Sequence, residues 1–217
     1  MIPDHHNPTT VYMSATERTA IANIAREYDL ICIEDSSFSF LSSNPLVPIS
    51  ALIPERSIYI SSVSNSLSPG FRIAFVYVPT ECREKMFASH ASINVMAPPL
   101  ELEIVSQLIN SGVANQVVEE KREELVKRNT LTDLYLSKYF MLGDSYSQFR
   151  WLFLPRKWNS INFELAAKER GVQVFGSQRF AVGNAAVVPA ARIAISSPRS
   201  IALLERGLEI LADILDT

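Results

Sequence analysis

The sequence predicts an α/β fold, because three short apolar segments alternate with helical patterns in its first part. The segments cover residues 30–33, 57–61 and 73–78. Each has the length of a strand and is rich in Ile, Val, Tyr and Phe, which is typical of a strand buried on both faces of a parallel sheet. We therefore expect a sheet of buried parallel strands.

Composition places the chain among ordinary globular proteins. Its 217 residues are 47% apolar and 20% charged, with a net charge of -3. This acidic balance argues against a mainly nucleic-acid-binding chain, which needs a basic face. No apolar run approaches the roughly 20 residues of a membrane span. The length fits one large domain or two small ones.

The cysteines and the N-terminus favour a cytoplasmic setting. Cys32 and Cys82 are too few for a disulfide framework, and their surroundings show no spacing typical of metal ligands. The first residues lack the basic and then apolar layout of a signal peptide. We expect a cytoplasmic protein without a bound metal.

A capping box begins the first predicted helix. Ser14 and Glu17 have the spacing at which each side chain binds the backbone amide of the other residue. Apolar residues then recur at helical spacing, so residues 14–28 are predicted to form an amphipathic helix that precedes the first strand.

The middle of the chain is helical in pattern. Pro98-Pro99 interrupts the chain, an apolar helical stripe follows over residues 100–109, and residues 114–140 form a long charged helix. The charged run 119–124 is interpreted as a solvated face with i,i+4 pairs.

The last part of the sequence alternates again and predicts a smaller α+β unit. Helical patterns cover 161–170, ended by Gly171 as a C-cap, and 201–215. Three further segments have the pattern of strands: 149–154, 172–175 and 192–195.

Four polar clusters interrupt the apolar scaffold, each at the end of a predicted strand. They are His6-Asn7-Pro8-Thr9, Glu34-Asp35, residues 61–65 and Pro69-Gly70-Phe71-Arg72. Ligands of open α/β sheets bind at the carboxyl ends of strands. Each cluster alone would be interpreted as a turn, a cap or a surface loop.

Together, in this order and spacing, the clusters resemble the second half of a fold type I pyridoxal-phosphate enzyme of the class I/II aminotransferase group. The variety that they resemble most is the aminotransferase-like domain of MocR-type transcription regulators, a branch of the GntR family. The matching strings are His5-His6-Asn7-Pro8-Thr9-Thr10, Ile33-Glu34-Asp35-Ser36-Ser37-Phe38, residues 62–74, Trp151-Leu152-Phe153-Leu154-Pro155, Gly171-Val172 with Phe175 and Phe180, and Arg192.

The resemblance implies a set of roles. Asn7 would donate to the phenolic oxygen of pyridoxal phosphate, and Asp35 would pair with the pyridine nitrogen. The cofactor phosphate would be held by Ser62, Ser64 and Arg72. Arg192 would bind the carboxylate of a substrate or effector.

Several positions depart from the family pattern. The Schiff-base lysine position is Asn65, and an amide nitrogen is not a nucleophilic amine. The next lysine after the motif is Lys85. Phe38 replaces a tyrosine, and Thr10 replaces a glycine where the loop is tight. Because of Asn65 we expect no catalytic residue and a pyridoxal phosphate that is bound non-covalently and weakly.

The resemblance also implies the organisation of the chain. Residues 1–113 would be the C-terminal part of the cofactor-binding large domain, and residues 114–217 a long connecting helix and a small C-terminal domain. The upstream half of the fold and a winged-helix module would be absent, so DNA would be bound only through that module. We expect a homodimer, a small amino-acid-like effector and no membrane partner.

Three functional interpretations stay open at this stage. The chain is the effector domain of a regulator that has lost catalysis, an aminotransferase whose lysine was replaced, or a dimerisation protein that binds no cofactor. The first is favoured because the polar residues that would bind the cofactor and a carboxylate are retained, while Phe38 and Thr10 argue against a simple lysine replacement. The identity of the effector depends partly on the absent half.

Overall fold

Two compact units make up the protein in this computed structural model, which describes residues 1–184 and 186–217. The first unit contains Met1–His6 and Tyr12–Lys121, and the second contains Asn7–Val11 and Arg122–Thr217. The chain passes from the first unit to the second inside a long helix. The predicted domain boundary after residue 113 stays a prediction.

The first unit begins with the helix that the capping box predicts. The Ser14 side chain accepts from the amide of Glu17, and the Glu17 carboxylate accepts from the amide of Ser14. Its elements are α1 (Ala15–Glu27), β1 (Cys32–Asp35), α2 (Ile49–Leu52), β2 (Ser57–Ser62), α3 (Val63–Ser66), β3 (Ala74–Tyr77), α4 (Thr80–Asn94), α5 (Pro99–Asn110) and the start of α6 (Val113–Leu136).

The sheet of this unit is mixed, which corrects the expectation of parallel strands. β1 pairs with β2 in parallel, but β2 pairs with β3 antiparallel. The connection over residues 63–73 is too short for the crossover of a dozen or more residues that a parallel pair needs. All residues of β3 are exposed in the described chain, so its predicted burial was also wrong.

The first strand lies two residues later than its apolar pattern predicts, so that it contains Glu34. This carboxylate is fully buried, and it accepts hydrogen bonds from the amides of Ile49 at 3.2 Å and Ser50 at 2.7 Å. It therefore satisfies donors at the start of α2, which offsets the cost of burying a charge.

Two small apolar clusters stabilise the first unit. One joins α1 and α2 to β1 and contains Ala22, Ala25, Cys32, Ile49 and Ile53. The other consists of Val63, Ile73 and Val105, so it packs the α3 region against α5.

The second unit has the predicted α+β character. After the rest of α6 it contains β4 (Met141–Leu142), β5 (Phe149–Phe153), α7 (Ser160–Glu169), β6 (Phe175–Gly176), β7 (Ala190–Ala194) and α8 (Ile201–Asp216). Its antiparallel sheet has the order β4-β5-β7-β6. Buried residues of α7 and α8, among them Phe163 and Leu208, pack with sheet residues such as Leu152 into one core.

The predicted strand over residues 172–175 is reduced to a short β6. Gly171 has a φ of 83° and ends α7, as its C-cap pattern predicts. The amide of Val172 donates to the Ala167 oxygen at 2.9 Å and closes the helix, so this residue is not available to a sheet.

None of the helices within residues 1–184 and 186–217 is long and apolar enough to cross a bilayer.

Candidate functional site

One edge of the first unit's sheet carries three of the predicted site residues. Asp35 is the last residue of β1, and Ser62 is the last residue of β2. Because β3 runs antiparallel, its start lies at the same edge, where Ala74 pairs with Ser62. The amide of Val63 donates to the Ile73 oxygen at 3.1 Å, which brings the neighbouring Arg72 to this edge.

The Asp35 carboxylate is half-buried, and one of its two oxygens accepts a hydrogen bond from the described residues. Its Oδ1 accepts a hydrogen bond from the amide of Ser37 at 3.0 Å. Oδ2 accepts no hydrogen bond from the described residues, so it can accept one from a protonated ring nitrogen or from another donor of a ligand. A carboxylate in this position suits a cationic ligand group.

The turn after β2 carries hydroxyl, amide and guanidinium donors. The Ser62 Oγ accepts from the amide of Ser64 at 3.1 Å, which caps α3, and it donates over a long 3.5 Å to the Ile73 oxygen. The side chains of Ser64 and Arg72 bond to no described residue, and Arg72 is exposed with a φ of 54°. This donor set suits a phosphate or another oxyanion.

Asn65 lies in α3, immediately after Ser64, and its amide side chain is half-buried without a partner among the described residues. Its backbone oxygen is bound by a residue that the sequence did not single out. The Lys121 Nζ donates to the Asn65 oxygen at 3.0 Å and to the Leu67 oxygen at 2.8 Å. Burial lowers the pKa of Lys121, because its ammonium group is partly removed from water.

The interpretation of residues 119–124 as a solvated face is therefore wrong at Lys121. Glu119, Glu120 and Glu123 are exposed, as expected, but Lys121 is half-buried. No local signal marks this difference, since the two carbonyls that Lys121 binds lie more than 50 residues earlier in the chain.

A second cluster lies in the second unit and centres on Arg192. The Nη1 of Arg192 donates to the Oδ1 of Asn7 at 2.7 Å. The guanidinium carbon lies 4.5 Å from the ring centre of Phe149 and 5.1 Å from those of Phe175 and Phe180. Phenylalanine faces of this kind attract a cation and fix its position.

The guanidinium of Arg192 has N–H donors that bind no described residue, and these donors suit an anionic ligand group. Its Nε is buried and has no hydrogen-bond partner among the described residues. Burial lowers the pKa of Arg192, because its environment solvates the charge less well than water. The Nη2 also donates to none of the described residues, and it is not among the buried atoms, so it can bind a carboxylate.

The loop that presents Asn7 is tightly folded. The Asn7-Pro8 peptide bond is cis, and Thr10 has a φ of 61° and is 3% exposed. Thr10 thus occupies the left-handed region at the position where the resemblance places a glycine. No strand precedes this loop among the described residues, so the expectation that the cluster ends a strand was wrong.

The predicted residues thus form two groups. Asp35, Ser62, Ser64 and Arg72 lie in the first unit, and Asn7 and Arg192 lie in the second. Within the described ranges, no group of three or more His, Cys, Asp or Glu residues could hold a metal ion.

Comparisons with known proteins agree with the resemblance. No family model matches the chain. An uncharacterized HTH-type transcriptional regulator of Bacillus subtilis, YdeF, is 39% identical over 216 residues, which cover 100% of this chain and 47% of that protein. An uncharacterized aminotransferase of Saccharolobus solfataricus is 28% identical over 225 residues, which cover 98% of this chain and 55% of that protein.

Solved structures extend the likeness to the fold. An archaeal alanine:glyoxylate aminotransferase superposes with a TM-score of 0.86 and 27% identity. The match covers 99% of this chain and 55% of that one. The chain therefore spans about half the length of the relatives that it matches. The expected α/β fold of the aminotransferase type is confirmed.

The regulator matches the full length of the chain, and the aminotransferases share its fold. The chain therefore belongs to the fold type I aminotransferase-like group, together with MocR-type transcriptional regulators, and it covers only the aminotransferase-like part.

Proposed function

We propose that the chain is the effector-binding part of a MocR-type regulator, and that it holds pyridoxal phosphate non-covalently without catalysing transamination. The observation that carries the proposal is Asn65, which lies in α3 at the position where the resemblance places the Schiff-base lysine. An amide cannot form the covalent bond to the cofactor aldehyde or act as a proton shuttle there.

The donor set in the first unit fits the cofactor. Ser62, Ser64 and Arg72 would hold its phosphate, since hydroxyls donate to phosphate oxygens and the guanidinium neutralises their charge. The free oxygen of Asp35 would accept a hydrogen bond from the protonated pyridine nitrogen. When bound, the cofactor supplies an electron-withdrawing ring.

Arg192 would bind the carboxylate of a small amino-acid-like effector. Its buried Nε lacks a partner, and Asn7 already orients the guanidinium. The rings of Phe149, Phe175 and Phe180 surround the charge and would contact apolar parts of the effector. Its chemical class is therefore a carboxylate with an apolar or small side chain.

The partners follow from the same proposal. The regulator would bind DNA through a winged-helix module outside this chain and would act as a homodimer. Light scattering of the purified chain tests the dimer, and a monomer at all concentrations would contradict this part of the proposal.

The proposal is tested by titrating the purified chain with pyridoxal phosphate, followed by absorbance and by borohydride reduction. We expect a saturable spectral change in the millimolar range and no reduced adduct by mass spectrometry. Arg72→Met should weaken binding about tenfold, the loss of one charged hydrogen bond. The exposed Arg206 offers the matched control, Arg206→Met, which should bind as the wild type does.

Other outcomes distinguish the remaining interpretations. A reducible adduct at a lysine of the wild-type chain would contradict non-covalent binding and favour an aminotransferase. The absence of any change at millimolar cofactor would contradict the proposal and favour a dimerisation protein that binds no cofactor.

A further inference from the structure

Lys121 joins α6 to the carboxyl end of the short helix α3. Its Nζ donates to the oxygens of Asn65 and Leu67, 56 and 54 residues earlier in the sequence. The last carbonyls of a helix have no partner within the helix and carry partial negative charge. The ammonium group therefore satisfies two acceptors that α3 itself leaves open.

The opposite end of α3 carries the donors assigned to the phosphate. Ser62 caps this end, and the amide of Ser64 binds its hydroxyl. With only the residues Val63–Ser66, α3 is too short to be stable by itself, because a single helical turn costs more conformational entropy than its hydrogen bonds return. Its conformation must be held by contacts from outside.

Few contacts provide this support. The amide of Val63 donates to the Ile73 oxygen, and the Val63 side chain packs with Ile73 and Val105. These contacts hold the amino end of the turn. At the carboxyl end the Leu67 side chain packs against the same cluster, and the two bonds from Lys121 fix the backbone oxygens of Asn65 and Leu67.

The absence of a Schiff-base lysine makes this support more important. A covalently bound cofactor stays in place even when its phosphate site is imperfect. With Asn65 in that position, the phosphate contacts would supply most of the affinity of the proposed site, and they would depend on the geometry of the turn.

We propose that Lys121 is a positioning residue, which holds the α3 turn in the conformation that receives the cofactor phosphate. The inference rests on the proposed function. Lys121 touches backbone oxygens on the far end of the turn and acts on the ligand only through Ser62 and Ser64.

The first experiment compares Lys121→Met, Lys121→Arg and the exposed control Lys127→Met by titration with pyridoxal phosphate and with pyridoxal. Lys121→Met should weaken binding of pyridoxal phosphate about tenfold, because the turn loses two charged hydrogen bonds that hold its conformation, and leave pyridoxal unchanged. Lys121→Arg should restore most of the affinity, because a guanidinium also donates to two acceptors.

The selectivity for phosphate separates positioning from general stability. Equal losses for both ligands, or no loss for either, would overturn the proposal. So would a loss in Lys127→Met that equals the loss in Lys121→Met.

A second measurement works without the cofactor. Hydrogen exchange followed by mass spectrometry should show faster exchange over residues 63–68 in Lys121→Met, but not in Lys127→Met. Unchanged exchange would overturn the role of Lys121. If the wild-type chain binds no pyridoxal phosphate, the proposed function fails, and this exchange measurement still decides whether Lys121 holds the turn.

Discussion

The Nη1 of Arg192 donates to the Oδ1 of Asn7 at 2.7 Å, although the two residues are 185 positions apart. The sequence singled out both residues but assigned them to different ligand groups. The bond couples them, because the amide that would bind the cofactor ring also orients the guanidinium that would bind a carboxylate. Asn7 has both an acceptor and a donor, so it can serve Arg192 and a ligand at once.

Asn7→Ala should lower the free energy of unfolding by about 1 kcal/mol, because the half-buried Arg192 loses its charged hydrogen bond. Urea unfolding followed by circular dichroism measures the change. Asn115→Ala removes an exposed amide and serves as the control. If the two variants are equally stable, the bond makes no net contribution.

Arg192→Lys should weaken a ligand that carries a carboxylate more than one that does not. The ammonium keeps the charge but loses the planar pair of donors that matches a carboxylate, so we expect a loss of about tenfold or more. Calorimetry with L-leucine and with L-leucinamide, which lacks the carboxylate, makes the comparison. Arg206→Lys is the exposed control, and equal losses for both ligands would contradict a carboxylate role.

Thr10→Gly should be more stable than Thr10→Ala, because both variants lose the buried hydroxyl and its hydrogen bond to the Thr9 oxygen, but alanine keeps the backbone strain. Thr10 has a φ of 61°, and the left-handed region costs an L-residue about 1–2 kcal/mol. Glycine avoids this cost, but on folding it loses about 0.5–1 kcal/mol more in backbone entropy than alanine does. The net gain of glycine over alanine is therefore about 0.5 kcal/mol. Thermal unfolding measures it. At Thr9, which has no positive φ, the glycine variant should instead be less stable than the alanine variant, and the same order at both positions would contradict the argument.

Features that depend on neighbouring residues, such as helix caps and strand ends, were predicted correctly from the sequence. Ser14 and Glu17 formed the capping box, and Asp35 and Ser62 lie at strand ends as expected. The direction of β3 was not predictable from its apolar residues, because parallel and antiparallel strands share the same pattern. The length of its connection to β2 was the signal that could have been used.

Hydrogen bonds between residues far apart in the sequence could not be predicted from local patterns. Lys121 sits in a run of charged residues, and only the folded chain shows that it reaches the Asn65 backbone. The same holds for the buried Glu34, whose donors are amides of a later helix. The type of a buried polar side chain indicates that it needs a hydrogen-bond partner, but the identity of that partner depends on the fold.

Acid should weaken the second unit through Glu164. The hydrogen bond from the Arg179 guanidinium lowers the pKa of Glu164, with a smaller contribution from the amide of Gly176. In the unfolded chain the carboxyl regains its usual pKa and binds a proton more readily. This stabilisation is therefore present above the usual pKa of 4.5 and is lost as the pH falls through the lowered value.

Melting temperatures between pH 5 and pH 3 test this expectation about Glu164. The wild type should lose stability on acidification, and Glu164→Gln should show a shallower dependence because its amide does not titrate. Glu169→Gln changes an exposed residue of the same helix and should keep the wild-type slope. Parallel slopes for Glu164→Gln and the wild type would contradict a role of this carboxylate.

Asn65→Lys tests whether the rest of the phosphate-binding turn is competent. The substitution places an amine on α3, next to Ser64, where the aldehyde of a bound pyridoxal phosphate would be attacked. We expect a new absorption band and, after borohydride reduction, a cofactor adduct on the peptide that contains position 65. Asn94→Lys, at the exposed end of α4, controls for unspecific modification of surface amines. If Asn65→Lys gives no adduct above this control although the variant remains folded, the donors around Asp35 and Arg72 are insufficient to hold the cofactor. The chain would then need residues from outside its own sequence to bind pyridoxal phosphate.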